Sequence, residues 1–314
     1  MAAAAADAVR IVEVGARDGL QNQPQVLEVA HRVALVRALE RAGLREIEVG
    51  AFVSPRWVPQ MADTEAVFAG LGAPAPGIVH AALVPNLRGL DAAIAAGCRD
   101  ITVLTAASES FCRANLNCGV EESLQRVADI AARALPVGLR VRAAVSTVVD
   151  CPFEGAVAPP RVAAVVARLH DIGCHQVSLG DTTGAGTPGS VGRMLQACLA
   201  HVPPTLLAGH FHDTFGMGVA NVVEALGHGL RSFDSSVSGL GGCPYSPGAT
   251  GNVATEDLVY LFEGLGLACG VDMARLLDAG DAVDGWLGRA GESRTGRALR
   301  ARRRRASGAD RTPG

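Results

Sequence analysis

No lysine occurs anywhere in the 314 residues, so arginine alone carries the positive charge of the chain. No apolar run reaches the ~18–20 residues that a membrane-spanning helix requires, which excludes that class of architecture. The opening MAAAAADAVR lacks both a basic segment and a long apolar one, so it does not read as a secretory signal. Eight cysteines are present, but they are irregularly spaced and form no CxxC pair. That argues against a disulfide framework or a zinc knuckle and for free, mostly buried thiols in a reducing, cytoplasmic setting. Charge is sparse as well: 19% of residues are charged and 49% are hydrophobic, which indicates a globular chain with a large core and not a disordered one. No GxGxxG follows the first strand candidate, which counts against a doubly wound dinucleotide-binding sheet.

The net charge of −3 hides an asymmetry. Residues 289–314 hold nine arginines against Glu292 and Asp310, a balance of +7 that leaves about −10 on the preceding body. Residues 301–314, ARRRRASGADRTPG, have no apolar periodicity and read as a disordered tail. The chain therefore divides into a folded domain over 1–288 and an Arg-rich, disordered extension over 289–314. A basic tail can serve nucleic acid or a membrane surface. A solvated extension is the simpler reading, and no nucleic-acid or membrane partner is expected.

What is present is alternation. Strand candidates fall at Arg10–Val14, Glu46–Gly50, Ile78–Val84, Asp100–Leu104, Arg140–Val145, His175–Leu179, Leu206–Phe211 and Ser232–Val237. Between them lie helical stretches near 28–42, 64–70, 87–96, 121–134, 161–171, 191–201 and 219–229. The first carries Val29, Val33, Val36 and Leu39 on one stripe and stops at Gly43, as a helix-ending glycine should. Eight such units predict an α/β fold of the (β/α)8 TIM-barrel type with a C-terminal extension.

A barrel places its chemistry at the C-terminal ends of the strands. The polar residues that interrupt the pattern cluster there: Arg17, Asp18 and Gln21 after strand one, Glu48 on strand two, Asp181 after strand six, and His210, His212 and Asp213 at the end of strand seven. After strand eight comes VSGLGGCPYSPGATGNVATEDLVY, from Val237 to Tyr260, with five glycines, Cys243 and Asn252, before a helix start at Thr255. Glycine at this density marks backbone that bends sharply or approaches a ligand.

His210 and His212 sit two apart on a strand, so both imidazoles face one side and form a chelating pair. Asp18 and the Asn252 amide would supply oxygen donors. Nitrogen and oxygen without thiolate suit Mg²⁺ or Mn²⁺, and zinc stays open on ligand type alone. Arg17 beside Asp18 can stabilise a developing enolate or hold a carboxylate, or form only a structural ion pair. Glu48 reads as a partner that orients Arg17. Asp181, in SLGDTTG, reads as an acceptor for the far nitrogen of a ligating histidine, and either carboxylate can instead cap a strand end. Cys243 beside a metal and an arginine would have a depressed pKa suited to proton exchange, or be a turn cysteine without a role.

With VEVGARDGLQNQ, AFVSPRWVPQMAD, SLGDTTGAGTP, HFHDTFG and SGLGGCPYSPGATGNVATEDLVY, the chain from about Val12 to Gly266 resembles the 3-hydroxy-3-methylglutaryl-CoA lyases of the DRE-TIM metallolyase superfamily. The glycine–cysteine loop carries the specificity, since related condensing synthases lack it. The resemblance implies metal ligands Asp18, His210, His212 and Asn252, with Arg17 stabilising an enolate. It also implies Cys243 as the loop thiol of proton transfer with His210, and Glu48 and Asp181 as supports of the site. Arg17, Gln21 and Asp181 are assigned to substrate. The implied reaction cleaves a CoA thioester to acetoacetate and acetyl-CoA in leucine degradation and ketone-body metabolism, by a homodimer. Ala51 stands where the family usually has a hydroxyl, and Thr147 where relatives often have cysteine. Both substitutions bear on acyl-chain specificity, and longer branched substrates such as 3-hydroxy-3-isohexenylglutaryl-CoA are the alternative. A condensing synthase on the same barrel, or nucleic-acid binding through the tail, are the remaining readings.

Overall fold

The computed structural model describes residues 8–242 and 251–306. Eight strands form one closed, all-parallel barrel: β1 (Arg10–Glu13), β2 (Glu46–Ala51), β3 (Val79–Leu83), β4 (Asp100–Ala106), β5 (Arg140–Ser146), β6 (Gln176–Asp181), β7 (Leu207–Phe211) and β8 (Ser232–Ser235). They pair in chain order, and β8 returns to β1 with Arg10 opposite Ser232 and Val12 opposite Asp234. The expected (β/α)8 barrel is the observed fold, and each strand lies within a few residues of its sequence-read position. Buried Val, Ile and Leu on successive strands explain this, because a parallel sheet covered on its outer face needs apolar residues along most of each strand.

The helices are α1 (Val29–Arg41), α2 (Thr64–Leu71), α3 (Leu87–Ala95), α4 (Glu109–Leu116), α5 (Val120–Ala134), α6 (Pro159–Ile172), α7 (Pro188–Leu199), α8 (Gly218–Gly227), α9 (Thr255–Gly264), α10 (Met273–Leu287) and α11 (Arg294–Ala306). Helix α5 shows why most are legible: it buries Leu124, Val127, Ile130, Ala131 and Ala134, a stripe at helical spacing. Helix α4 shows the opposite case. Only Phe111 and Cys112 are buried, so no stripe announces it, and Ser108 starts it by accepting a hydrogen bond from the Phe111 amide at 3.2 Å.

The reading of 289–314 as a disordered tail is corrected. Residues 294–306 form α11, which has almost no apolar face and docks through charge: Arg303 pairs with Asp278 at 3.0 Å and Arg300 with Asp281. Polar, long-range docking of this kind leaves no periodicity in the sequence. Residues 307–314 lie outside the described residues.

The glycine loop leaves the barrel after β8 and returns at Gly251. A Cβ there would stand 2.5 Å from the Gly239 carbonyl and 2.6 Å from the Gly241 nitrogen, so only glycine lets the two ends of the loop meet. From Gly251 the chain runs beside two strands: the Val253 amide donates to the Phe211 carbonyl at 2.9 Å, and the Ser236 amide to the Val253 carbonyl at 3.1 Å. Helix α9 then packs on the barrel through Phe262, whose ring lies 5.7 Å from that of Phe233 on β8, both fully buried. Phe262→Ala should lower unfolding free energy by about 3–5 kcal/mol in chemical denaturation, because a packed core closes only partly over the cavity that a lost ring leaves.

Candidate active site

The site begins where β1 ends. Residues Gly15–Gly19 make one wide π-helical turn that carries Arg17 and Asp18 over the barrel mouth. Arg17 is pinned on both sides: its Nε donates to Glu48 Oε2 at 2.5 Å and its Nη1 to Asp18 Oδ1 at 2.7 Å. Glu48 comes up from β2, is buried, and holds the guanidinium in place. Burial alone would lower the pKa of Arg17, but Glu48 and Asp18 outweigh it and raise it. For Asp18, burial works to raise the pKa, whereas Arg17, His210 and His212 together bring it down to about 2.

Across the mouth, His210 and His212 face one another with their Nε2 atoms 3.4 Å apart, and Asp18 Oδ2 lies 3.9 Å from His210 Nε2. The ligand atoms of Asp18, His210 and His212 all fall within 4.8 Å of one another. Asn252 joins them from the returning loop, with its Nδ2 donating to Asp18 Oδ2 at 2.8 Å. Its Oδ1 is buried with no partner. The oxygen and nitrogen of an amide exchange places by a half-turn, so Asn252 can present Oδ1 where Nδ2 now meets Asp18. Two imidazole nitrogens and a carboxylate thus converge on one point, with the Asn252 amide against the carboxylate. This donor set fits a divalent cation with oxygen-rich coordination.

The far nitrogen of His210 makes the decisive contact. Its Nδ1 lies 3.0 Å from Asp234 Oδ2 on β8, the residue opposite it in register. Asp234 is also held by Arg142 Nη2 at 2.6 Å, Arg142 Nη1 at 3.2 Å and Ser178 Oγ at 2.7 Å, while Arg142 Nε donates to Gln176 Oε1 at 2.8 Å. Burial would raise Asp234, but Arg142 and His210 hold it far below the usual carboxylate range. Burial pushes His210 down, yet the Asp234 hydrogen bond and charge win, and its pKa is raised. His212 has no such partner and is lowered to about 4, by burial and then by His210.

Asp181 stands elsewhere than the sequence implies. It pairs in register with Phe211, not with His210, so its carboxylate faces the helix layer. There Oδ2 accepts the Gly186 amide at 2.9 Å, and burial raises its pKa to about 6. It neither borders the cavity nor serves a ligating histidine. Sequence reasoning misses Asp234, Arg142, Ser178 and Gln176. Their signal is polar residues at alternate positions on otherwise apolar strands, Gln176 and Ser178 on β6 above all.

The cavity over this cluster has a volume of about 140 Å³. Arg17, Asp18, Gln21, His210 and Asp234 form its polar side, and Leu83, Leu104, Phe111, Ala144 and Val145 its apolar side. Cys243 lies outside the described residues, but its neighbour Gly242 lines this cavity, and the Gly242 carbonyl accepts Asn22 Nδ2 at 3.0 Å. Neither Ala51 nor Thr147 borders it. Ala51 lines a separate cavity of about 460 Å³ between the end of β2 and α3, and the Thr147 hydroxyl donates to the Ser146 carbonyl at 2.7 Å.

His212→Ala should weaken divalent-cation binding in a metal titration. Asp234→Asn should weaken it about 10- to 100-fold by releasing His210. Binding needs neutral imidazoles, and the raised pKa of His210 keeps its proton to higher pH. Affinity should therefore fall as pH drops through that value, with proton uptake opposing the metal, in titrations repeated between about pH 5 and 8.

Residues 8–283 match the HMGL-like family. The chain is 54% identical over 295 residues to the hydroxymethylglutaryl-CoA lyase of Pseudomonas mevalonii, covering 94% of this chain and 98% of that one. It is 50% identical over 294 residues to the 3-hydroxy-3-isohexenylglutaryl-CoA/hydroxy-methylglutaryl-CoA lyase of Pseudomonas aeruginosa, covering 94% and 98%. The crystal structure of hydroxymethylglutaryl-CoA lyase from Pseudomonas aeruginosa superposes with a TM-score of 0.92 at 50% identity, over 94% of this chain and 98% of that one. With the barrel, the His-x-His strand end and the returning Asn252 loop in place, the chain belongs to the HMGL-like family of carbon–carbon lyases.

Proposed function

We propose that this chain cleaves 3-hydroxy-3-methylglutaryl-CoA to acetoacetate and acetyl-CoA, a step of leucine degradation and ketone-body metabolism. The observation that carries the proposal is the convergence of Asp18, His210, His212 and Asn252 beside Arg17 at the mouth of a barrel 54% identical to a hydroxymethylglutaryl-CoA lyase.

In this retro-Claisen reaction the C2–C3 bond breaks. The C3 hydroxyl loses its proton and becomes the ketone of acetoacetate, the bonding pair passes into the thioester as an enolate, and a proton returns to C2 to give acetyl-CoA. A divalent cation, Mg²⁺ or Mn²⁺, held by Asp18, His210, His212 and Asn252 would acidify the C3 hydroxyl and fix the substrate's orientation. The remaining work falls to the protein. Arg17 lies on the cavity wall with Nε and Nη1 fastened, so its guanidinium is preorganised to balance the enolate oxygen. Gln21 lines the same wall and is positioned to donate to the substrate. His210, with Nδ1 on Asp234, keeps Nε2 turned to the cation, and the Asp18 carboxylate on the same side is placed to receive the hydroxyl proton. Cys243, the residue after cavity-lining Gly242, is assigned to return a proton at C2.

A second reading has its own support. The apolar wall of Leu83, Leu104, Phe111, Ala144 and Val145 offers contact to a C3 substituent larger than methyl, and the Pseudomonas aeruginosa relative is named for both substrates. The deciding measurement is acetyl-CoA release from the methyl and isohexenyl 3-hydroxyglutaryl-CoA esters with and without Mg²⁺. Release from the methyl ester that depends on the cation supports the proposal, and release from neither ester overturns it. Cys243→Ser should leave cation affinity unchanged while turnover falls about 10²- to 10⁴-fold; undiminished turnover would remove Cys243 from proton transfer.

A further inference from the structure

The reaction as proposed makes no use of the chain after α10, yet a few residues there reach three segments beside the ligand cluster. Ser293 is fully buried, and its Oγ donates to Asp257 Oδ1 at 3.0 Å. The Thr295 amide adds a second bond to that oxygen at 2.7 Å, and the Arg294 amide meets Asp257 Oδ2 at 3.4 Å. The first turn of α11 is therefore seated on a carboxylate of α9, which satisfies its free amides and favours the negative charge. Asp257 follows Asn252 by five residues.

Arg294 then extends its Nη1 to Asp213 Oδ2. Asp213 is the residue after His212, its Oδ1 accepts the Gly218 amide at 2.8 Å, and its own amide donates to the Gly251 carbonyl at 3.2 Å. One side chain thus grips the joint where the His212 segment and the Asn252 segment pair. The third hold is on Ser238, which sits in the left-handed region at φ 58 just before the glycine loop. Its carbonyl accepts the Glu292 amide at 3.0 Å and Arg289 Nη2 at 3.4 Å, and its Oγ donates to Asp284 Oδ2 at 2.5 Å. Gly291 lies against Ser238 Oγ so closely that any Cβ would collide with it. Residues 289–295 therefore touch the segment after His212, the segment after Asn252 and Ser238 after β8.

We infer that Ser293 and Arg294 are positioning residues for the cation ligands His212 and Asn252, with residues 289–295 acting as a strap across the three segments. This rests on the reading of Asp18, His210, His212 and Asn252 as a cation site. The strap acts through backbone placement: Asp213 and Asp257 are the handles, and the two ligands are what they hold. The ion pair with Arg294 is more than half exposed on the arginine side, so its own effect is modest, whereas the Ser293–Asp257 contact is buried.

The test measures Mn²⁺ binding to the full-length protein by electron paramagnetic resonance, without substrate, alongside thermal unfolding. Arg294→Met and Ser293→Ala should each weaken Mn²⁺ binding about three- to fivefold. Arg294→Lys should recover most of the loss, because a cation still reaches Asp213. Arg303, on the same helix as Arg294, pairs with Asp278 of α10 and touches none of the three segments, so Arg303→Ala should leave Mn²⁺ binding unchanged. Wild-type affinity in both Arg294→Met and Ser293→Ala would overturn the strap, as would an equal loss in Arg303→Ala. Failure of the wild type to bind Mn²⁺ would instead overturn the cation site on which the strap depends.

Discussion

The ligand end of this barrel depends on keeping one carboxylate charged inside it. An isolated carboxylate at the depth of Asp234 would take up a proton, because burial disfavours the ion far more than a single neighbour can offset. Asp234 stays ionised because Arg142 clamps both of its oxygens and Ser178 and His210 supply further donors. The consequence is chemical. With Nδ1 committed to Asp234, the other nitrogen of His210 is turned toward His212 and Asp18. Removing one member leaves the others buried and unbalanced, a change that typically costs about 3–5 kcal/mol.

Around this centre the site is assembled in successive rings of contacts. Glu48 holds Arg17, Arg17 holds Asp18, and Asp18 receives Asn252 from the far end of the chain, 234 residues away. Closure of the barrel makes these neighbours, since pairing of β8 with β1 brings the first turn and the last loop to one rim. The outermost ring is polar and belongs to the C-terminal helix. A helix rich in arginine is suited to it: its guanidiniums reach Asp213, Asp278 and Asp281 across gaps that no apolar packing fills.

Much of this architecture is legible in the order of the residues. The eight strands follow from apolar runs, most helices from stripes at helical spacing, and the histidine pair from the alternation of side chains along a strand. Arg17 and Asp18 stand out because polar residues at strand ends contrast with an apolar background, and Asn252 because it sits among the glycines of the last loop. The misreadings share a cause. Asp181 follows a strand at the right rim and so invites assignment to a histidine, but the face a strand-end carboxylate takes depends on register, and its register partner is Phe211. Helix α4 and helix α11 have no apolar face to announce them. Asp234 hides between a phenylalanine and a serine on a strand of four residues.

The amino-acid order settles whatever depends on near neighbours: the alternation that makes a barrel, the paired imidazoles on β7, the glycines that let the last loop turn back on itself, and the adjacency of Arg17 and Asp18. The partners of these groups are set in three dimensions. That His210 leans on Asp234, that Asp181 faces the helices, and that the arginine-rich end of the chain lies across the ligand segments are consequences of barrel closure and strand register. Those bring together groups tens to hundreds of residues apart, and the local pattern around each residue carries no record of the others.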